Sequence, residues 1–316
     1  MPHVKAVSCG NLVKDANGVS ALPVQSREVT VASGVNAGNA THVVRTVADR
    51  RAGNVSRAVH RARSRAMRRM NNMTELHPNE RMDDLCMGGR RIIQRTDEFC
   101  FSMDAVLLAH FPRLTGRERV LDLGTGAGVI PLLVADHTAE ITAVELNSVQ
   151  AELAMRNVRL NHLTEKITVR EGDYRDPPAL FACAQYDVVF SNPPYRPVTS
   201  GAISMGARAA ARHELTATLA YTVQAAAYAL RHGGRLAMVH LPERLGEIVL
   251  ALAAAKLAIK RLRMVQPRAD RPPNLVLIEA VKGAALTGMR HEPALIVRDA
   301  EGNYTDEIRR IYGQEM

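Results

Sequence analysis

The residues best able to do chemistry are Asn192-Pro193-Pro194-Tyr195, which follow directly on the apolar run Tyr186-Asp187-Val188-Val189-Phe190-Ser191. Two successive prolines after a strand fix the backbone and remove two N–H donors, leaving carbonyl oxygens to accept hydrogen bonds. The Asn192 side-chain oxygen and the Pro193 carbonyl can together hold both hydrogens of one planar amine. Such a nitrogen has a delocalised lone pair. Accepting both hydrogens orients it and draws it toward tetrahedral geometry, with the lone pair aimed at an incoming carbon. Tyr195 offers a face for a planar base, an interaction worth about 1–3 kcal/mol. A base bound there would have to leave its stack, as it does in other enzymes that act on bases.

A second constellation lies 70 residues earlier, in Val120-Leu121-Asp122-Leu123-Gly124-Thr125-Gly126-Ala127-Gly128. Glycines between a strand and a helix let the backbone bend sharply and approach a ligand, but nucleotide and dinucleotide sites share this feature. Three acids narrow the choice. Asp122, just before the turn, would repel a pyrophosphate and suits an ammonium. Glu145, 21 residues after Gly124, ends the next strand, where an acid accepts both ribose hydroxyls. Asp173 ends a third strand and can accept from an adenine amino group. An amino-acid end, a ribose and an adenine without phosphates describe S-adenosylmethionine. The reaction implied is in-line displacement at the sulfonium methyl. The leaving group is neutral, so positioning supplies most of the rate, and no separate base is needed before transfer.

The elements that must hold these residues alternate. Val120–Leu123, Ile141–Glu145, Ile167–Arg170 and Asp187–Ser191 read as strands. Asn147 is a helix N-cap with Gln150 three residues on, and its helix should run to about Asn161. Leu215–Arg231 reads as a long helix, with His213 and Glu214 at its N-terminus. Arg235–His240, Leu245–Ala258, Arg261–Val265 and Leu275–Val281 follow as strand, helix, strand and strand. This alternation predicts an α/β domain with a mostly parallel sheet and ligands at the carboxyl ends of the strands.

The chain has 316 residues, is 47% apolar and contains no Trp, seven Tyr and five Phe. Cys9, Cys86, Cys100 and Cys183 form no Cys-x-x-Cys pair, which argues against a disulfide framework and a zinc site; reduced, mostly buried thiols in a cytoplasm are expected. No apolar run is long enough to span a bilayer, and the N-terminus does not resemble a secretory signal. Residues 1–72 carry 12 of the 41 Lys and Arg but 3 of the 32 acids, so the formal charge of +9 resides there and the remainder is neutral. We expect this segment to be disordered, with a short basic helix near Ser56–Met70. It reads as upstream sequence before a start at Met70 or Met73, as a nucleic-acid-binding tail or as a presequence, the first being preferred.

Together these residues resemble the class I methyltransferases, in particular the amine-modifying branch carrying Asn-Pro-Pro-Tyr. Over residues 80–283 the similarity narrows to the tRNA(Val) adenine-N6 methyltransferase family. Glu80-Arg81-Met82-Asp83-Asp84-Leu85, Ile92-Ile93-Gln94 and the run from Phe99 to Ala109 carry it, with Ala211-Arg212-His213-Glu214 and the run from Val265 to Arg271. Asp299, Gly302-Asn303-Tyr304 and Ile311-Tyr312-Gly313 extend it. Residues 1–72 have no counterpart. The resemblance implies a Rossmann-like fold at 73–316, with a mostly parallel seven-stranded sheet whose last strand is antiparallel. It implies cofactor contacts from Phe101, Ser102, Asp104, Asp122, Gly124, Thr125, Gly126, Gly128, Glu145, Leu146, Asp173, Tyr174 and Asn192. Asn192, Pro193, Pro194 and Tyr195 would hold the target amine.

The expected substrate is adenine N6 in tRNA. Glutamine N5 of a release factor presents a similar planar amine, but residues 1–72 are too Arg-rich and aperiodic to form the helical domain such enzymes carry. Guanine N2 of ribosomal RNA is a second rival. A non-catalytic RNA-binding protein would be expected to have lost Asp122, Glu145 or Asn192, and all three are present. With the folded part neutral, local clusters must meet RNA phosphates: Arg196, Arg208 and Arg212 after the tetrapeptide, and Arg261, Arg263, Arg268 and Arg271 around the last strands. The remaining expectations are a cytoplasmic monomer or weak dimer without membrane or metal partners.

Overall fold

The computed structural model describes residues 76–97, 101–193 and 218–314, all within one unit, Ala66–Met316. The expectations for residues 1–72 lie outside the described residues. The chain opens with an antiparallel hairpin, β1 (Glu80–Asp84) and β2 (Arg91–Arg95). Helix α1 (Met103–His110) leads into β3 (Arg119–Leu123), α2 (Val129–Val134), β4 (Glu140–Glu145), α3 (Ser148–Leu160), β5 (Ile167–Glu171) and β6 (Tyr186–Ser191). A helix described over 218–229, α4, follows. The rest comprises β7 (Leu230–His240), α5 (Leu245–Ala254), β8 (Leu257–Arg268), β9 (Leu275–Lys282), β10 (Arg290–Arg298) and α6 (Asp306–Ile311).

Strands β3 to β10 form one sheet in the order β10-β8-β9-β7-β6-β3-β4-β5. The links from β7 through β6, β3 and β4 to β5 are parallel, and β9 runs antiparallel between β7 and β8. The expected seven strands are thus present with the seventh reversed. An eighth, β10, pairs in parallel outside β8, with a register shift between Glu292 and Leu295. Both faces are covered, which explains the near-continuous apolar strands. Val120, Ile141, Val188 and Phe190 pack on one face with α1 and α2. Leu121, Leu123, Val144 and Val189 pack on the other with α4 and α5.

Several boundaries differ from the sequence reading. The helix expected over Leu215–Arg231 ends at 229, because Leu230 already pairs with Tyr186 in the sheet. The helix expected over Leu245–Ala258 stops at Ala254: Lys256 turns left-handed at φ 58° and its carbonyl accepts from Gly283 N–H, starting β8 early. No Gly or Pro marks either stop. The helix expected after the glycine turn is α2, and the hairpin, α1, β10 and α6 are additional elements. The cysteine expectation is corrected for two residues. Cys86 and Cys183 are free but exposed, because both lie in turns outside the layers, whereas Cys9 and Cys100 fall outside the described residues. Among the described residues no helix is long and apolar enough to cross a membrane.

Candidate active site

Strand β3 lies between β4 and β6, at the point where the chain's order reverses, which is where sheets of this kind bind ligands beyond their carboxyl ends. Register aligns those ends: Leu123 stands opposite both Ser191 and Val144, and Glu145 opposite Glu171. Asp122, Glu145, Asp173 and Asn192 therefore leave the same edge of four adjacent strands, over about 14 Å.

The turn after β3 is built for close approach. Gly124, Gly126 and Gly128 have φ of 74°, 55° and 89°, in the region that favours glycine. Gly124 and Thr125 N–H both donate to Val144 O, at 2.9 and 3.0 Å, fastening the turn to β4. Glu145 completes the link: Oε2 accepts from Gly126 N–H at 2.8 Å, and Oε1 from Asn147 N–H at 2.9 Å. Asn147 caps α3 as expected, its Oδ1 accepting from Val149 and Gln150 N–H. Glu145 thus bonds the Asn147 N–H, a role the capping-box spacing had assigned to Gln150.

Asp122 is 1% exposed, and among the described residues neither its carboxyl oxygens nor the Thr125 hydroxyl has a hydrogen-bond partner. Burial raises its pKa to about 7; Thr125 Oγ1 lies near enough to lower it without completing a bond, and the Glu145 charge raises it further. A buried, unpartnered carboxyl is costly unless something else satisfies it, and a ligand ammonium would do so.

Asp173 is already engaged. It accepts from Arg175 Nε at 2.7 Å and Arg175 N–H at 2.9 Å, and the Arg175 guanidinium holds its carboxyl below the usual range. Tyr174 turns inward, its hydroxyl 3.3 Å from Thr222 Oγ1. Leu146 is 56% exposed beside Glu145. Asn192 is half-buried and Pro193 buried, directly after Ser191. Pro194, Tyr195, Arg196, Arg208, Arg212, His213 and Glu214 lie outside the described residues.

Phe101, Ser102 and Asp104 begin α1. Phe101 N–H donates to Gln94 Oε1 at 2.7 Å, Ser102 Oγ donates to Asp104 Oδ1, and Asp104 is buried. Gln94 is therefore a support the sequence reading missed. The residues beneath it were missed too. Arg156 on α3 forms a paired bond to Glu80, at 2.6 and 2.8 Å, and Asn157 is fully buried. The only sequence signal was Asn157 and Asn161 four apart in a helix, where asparagine is disfavoured unless its amide finds partners.

The sequence model of the Methyltransferase small domain family matches residues 102–252. A tRNA1(Val) (adenine(37)-N6)-methyltransferase from Tolumonas auensis is 33% identical over 209 residues, covering 65% of this chain and 84% of the relative. One from Serratia proteamaculans is 35% identical over 214 residues, covering 66% and 80%. The chain belongs to the tRNA1(Val) adenine-N6-methyltransferase family. It is a class I, S-adenosylmethionine-dependent methyltransferase. A solved structure described as a predicted O-methyltransferase from Agrobacterium tumefaciens shares the methyltransferase fold, with a TM-score of 0.56 and 22% identity over 67% of this chain and 96% of that one.

The basic residues of this methyltransferase divide into two groups. Arg268 and Arg271 stand at the carboxyl end of β8, on the same edge as Asn192, exposed and sharing Asp270. Arg261 and Arg263 do not join them. Arg261 is spent on Glu279, Glu292 and the Phe111 ring, and Arg263 on Glu307 through two bonds at 2.7 and 2.8 Å. Both side chains are mostly buried and already paired, which removes them from the candidate phosphate contacts.

Proposed function

We propose that the protein methylates the exocyclic N6 of an adenine in tRNA, using S-adenosylmethionine. The observation that carries the cofactor reading is the Asp122 carboxyl, buried before the glycine turn and, among the described residues, without a partner. The residues fit the cofactor: Asp122 and Thr125 face the amino-acid end, Glu145 the ribose, and Asp173 with exposed Leu146 the adenine. Each carboxylate oxygen of Glu145 and Asp173 retains acceptor capacity beyond its present bond. In this reading Phe101, Ser102 and Asp104 flank the cofactor, and Tyr174 stands beside Asp173. The substrate reading draws on the relatives named above and on Asn192-Pro193-Pro194-Tyr195.

When bound, S-adenosylmethionine supplies a methyl group on a positively charged sulfur. Asn192 and Pro193 accept the two amine hydrogens and aim the nitrogen, while Tyr195 stacks on the base. The nitrogen becomes acidic only as it is alkylated, so its proton passes to solvent without a dedicated base. Arg196, Arg208, Arg212, Arg268 and Arg271 contact the tRNA backbone.

Asn192→Ala should leave S-adenosylmethionine affinity within about threefold of wild type and lower the single-turnover rate by about two orders of magnitude or more, because positioning is lost. Calorimetry and rapid-quench methylation measure the two quantities. A variant that transfers at the wild-type rate removes Asn192 from the reaction.

A further inference from the structure

Asn157, in the last turn of α3, satisfies three backbone groups belonging to two separate parts of the site. Its Oδ1 accepts from Ile93 N–H at 2.7 Å, and its Nδ2 donates to Ile93 O at 3.0 Å and to Ala127 O at 2.9 Å. Ile93 belongs to β2, and Ala127 stands between Gly126 and Gly128 in the glycine turn. Both donors of the amide are used, and the side chain is fully buried.

One turn further along, Asn161 does half of this. Its Oδ1 accepts from Arg91 N–H at 3.0 Å and its Nδ2 donates to Arg91 O at 2.7 Å. Asn157 and Asn161 together imitate a neighbouring strand for the free edge of β2. Among the described residues the Asn161 side chain hydrogen-bonds only to the hairpin and to its own helix, at Asn157 O. The hairpin continues into Gln94, whose side chain accepts from Phe101 N–H, while the turn also rests on α3 at Ala154, 3.4 Å from where a Gly128 Cβ would stand.

We infer that Asn157 is a positioning residue for the cofactor: it fixes the glycine turn relative to the hairpin that delivers Phe101–Asp104, so that both walls of the cofactor site keep one spacing. This rests on the cofactor reading proposed above. A purely structural role would act through the hairpin alone, and Asn161→Ala isolates that role because it strips the same pair of bonds from β2 without touching the turn.

The test compares wild type, Asn157→Ala and Asn161→Ala in the full chain, with melting temperature, S-adenosylmethionine affinity by calorimetry and steady-state kinetics measured well below melting. Both variants should melt lower than wild type. Only Asn157→Ala should bind S-adenosylmethionine about tenfold more weakly, with a matching rise in its KM and kcat within about twofold. If Asn157→Ala fails to fold, Asn157→Ser takes its place with the same expectation. Equal affinity losses in the two variants, or none in Asn157→Ala, overturn the inference. A wild-type protein that does not bind S-adenosylmethionine overturns the cofactor reading first, and this inference with it.

Discussion

At the scale of single residues, Asp122 sets the chemistry that a cofactor must answer. Its carboxyl is buried without a partner among the described residues, and burial pushes its pKa up to about 7, so near neutrality it is held between a neutral and a charged form. Only the ionised form attracts an ammonium. S-adenosylmethionine affinity should therefore climb with pH by about tenfold per unit up to about 7, the complex releasing a proton as it forms. Above about 8 the cofactor's own α-amino group loses its charge and affinity should fall again. Calorimetry in buffers of different ionisation heat reads both limbs, and Asp122→Asn should abolish the rising one. A rising limb that survives in the variant would assign the titration to another group. The position of Asp122 at a strand end was legible in the sequence. Its burial was not, because it depends on how the layers pack around the strand end, which no local pattern records. The pairing of Asp173 with Arg175 was equally hidden, being a matter of rotamer two residues away.

At the scale of elements, α3 organises the site. Its N-terminus follows Glu145, its last turn supports the glycine turn, and one side holds the hairpin through Arg156, Asn157 and Asn161. The Arg156–Glu80 pair is almost fully buried at both side chains. Burial raises the pKa of Glu80, but the bonds from Arg156 and the His77 N–H outweigh it and hold the carboxyl below its ordinary value. Arg156→Met would leave Glu80 buried without its partner and should destabilise the protein by about 3 kcal/mol in urea denaturation. A loss below about 1 kcal/mol would mean that the hairpin detaches without consequence for the rest of the fold. The five parallel strands from β3 to β7 and α3 could be read from their strand-like runs and from the Asn147 cap. The hairpin could not: Arg81, Asp83, Arg91 and Arg95 make it look like surface loop, and its stability comes from a helix more than 60 residues away. The ends of α4 and α5 were misread for a related reason, since pairing in β7 and β8 overrides helical sequence with no local stop signal.

At the scale of the whole molecule, the formal charge resides in residues 1–72 while the rest is neutral, so tRNA must be met by local clusters. Arg268 and Arg271 share an exposed acid, a pairing weak enough for a phosphate to displace. Raising salt from about 50 to 200 mM should weaken tRNA binding by about two to three orders of magnitude if all five arginines meet phosphates, and an Arg268→Gln, Arg271→Gln double variant should flatten the slope by about two. Filter binding across salt concentrations checks this. An unchanged slope would move the RNA face away from the end of β8. Arg261 and Arg263 show why charge clusters in sequence mislead: neighbouring strands bring Glu279 and Glu292 to Arg261, and α6 brings Glu307 to Arg263. The most direct test of the central claim is methyl transfer from labelled S-adenosylmethionine to unmodified total tRNA, followed by digestion to nucleosides. The account predicts label in N6-methyladenosine, and label in any other nucleoside, or in protein alone, would contradict it.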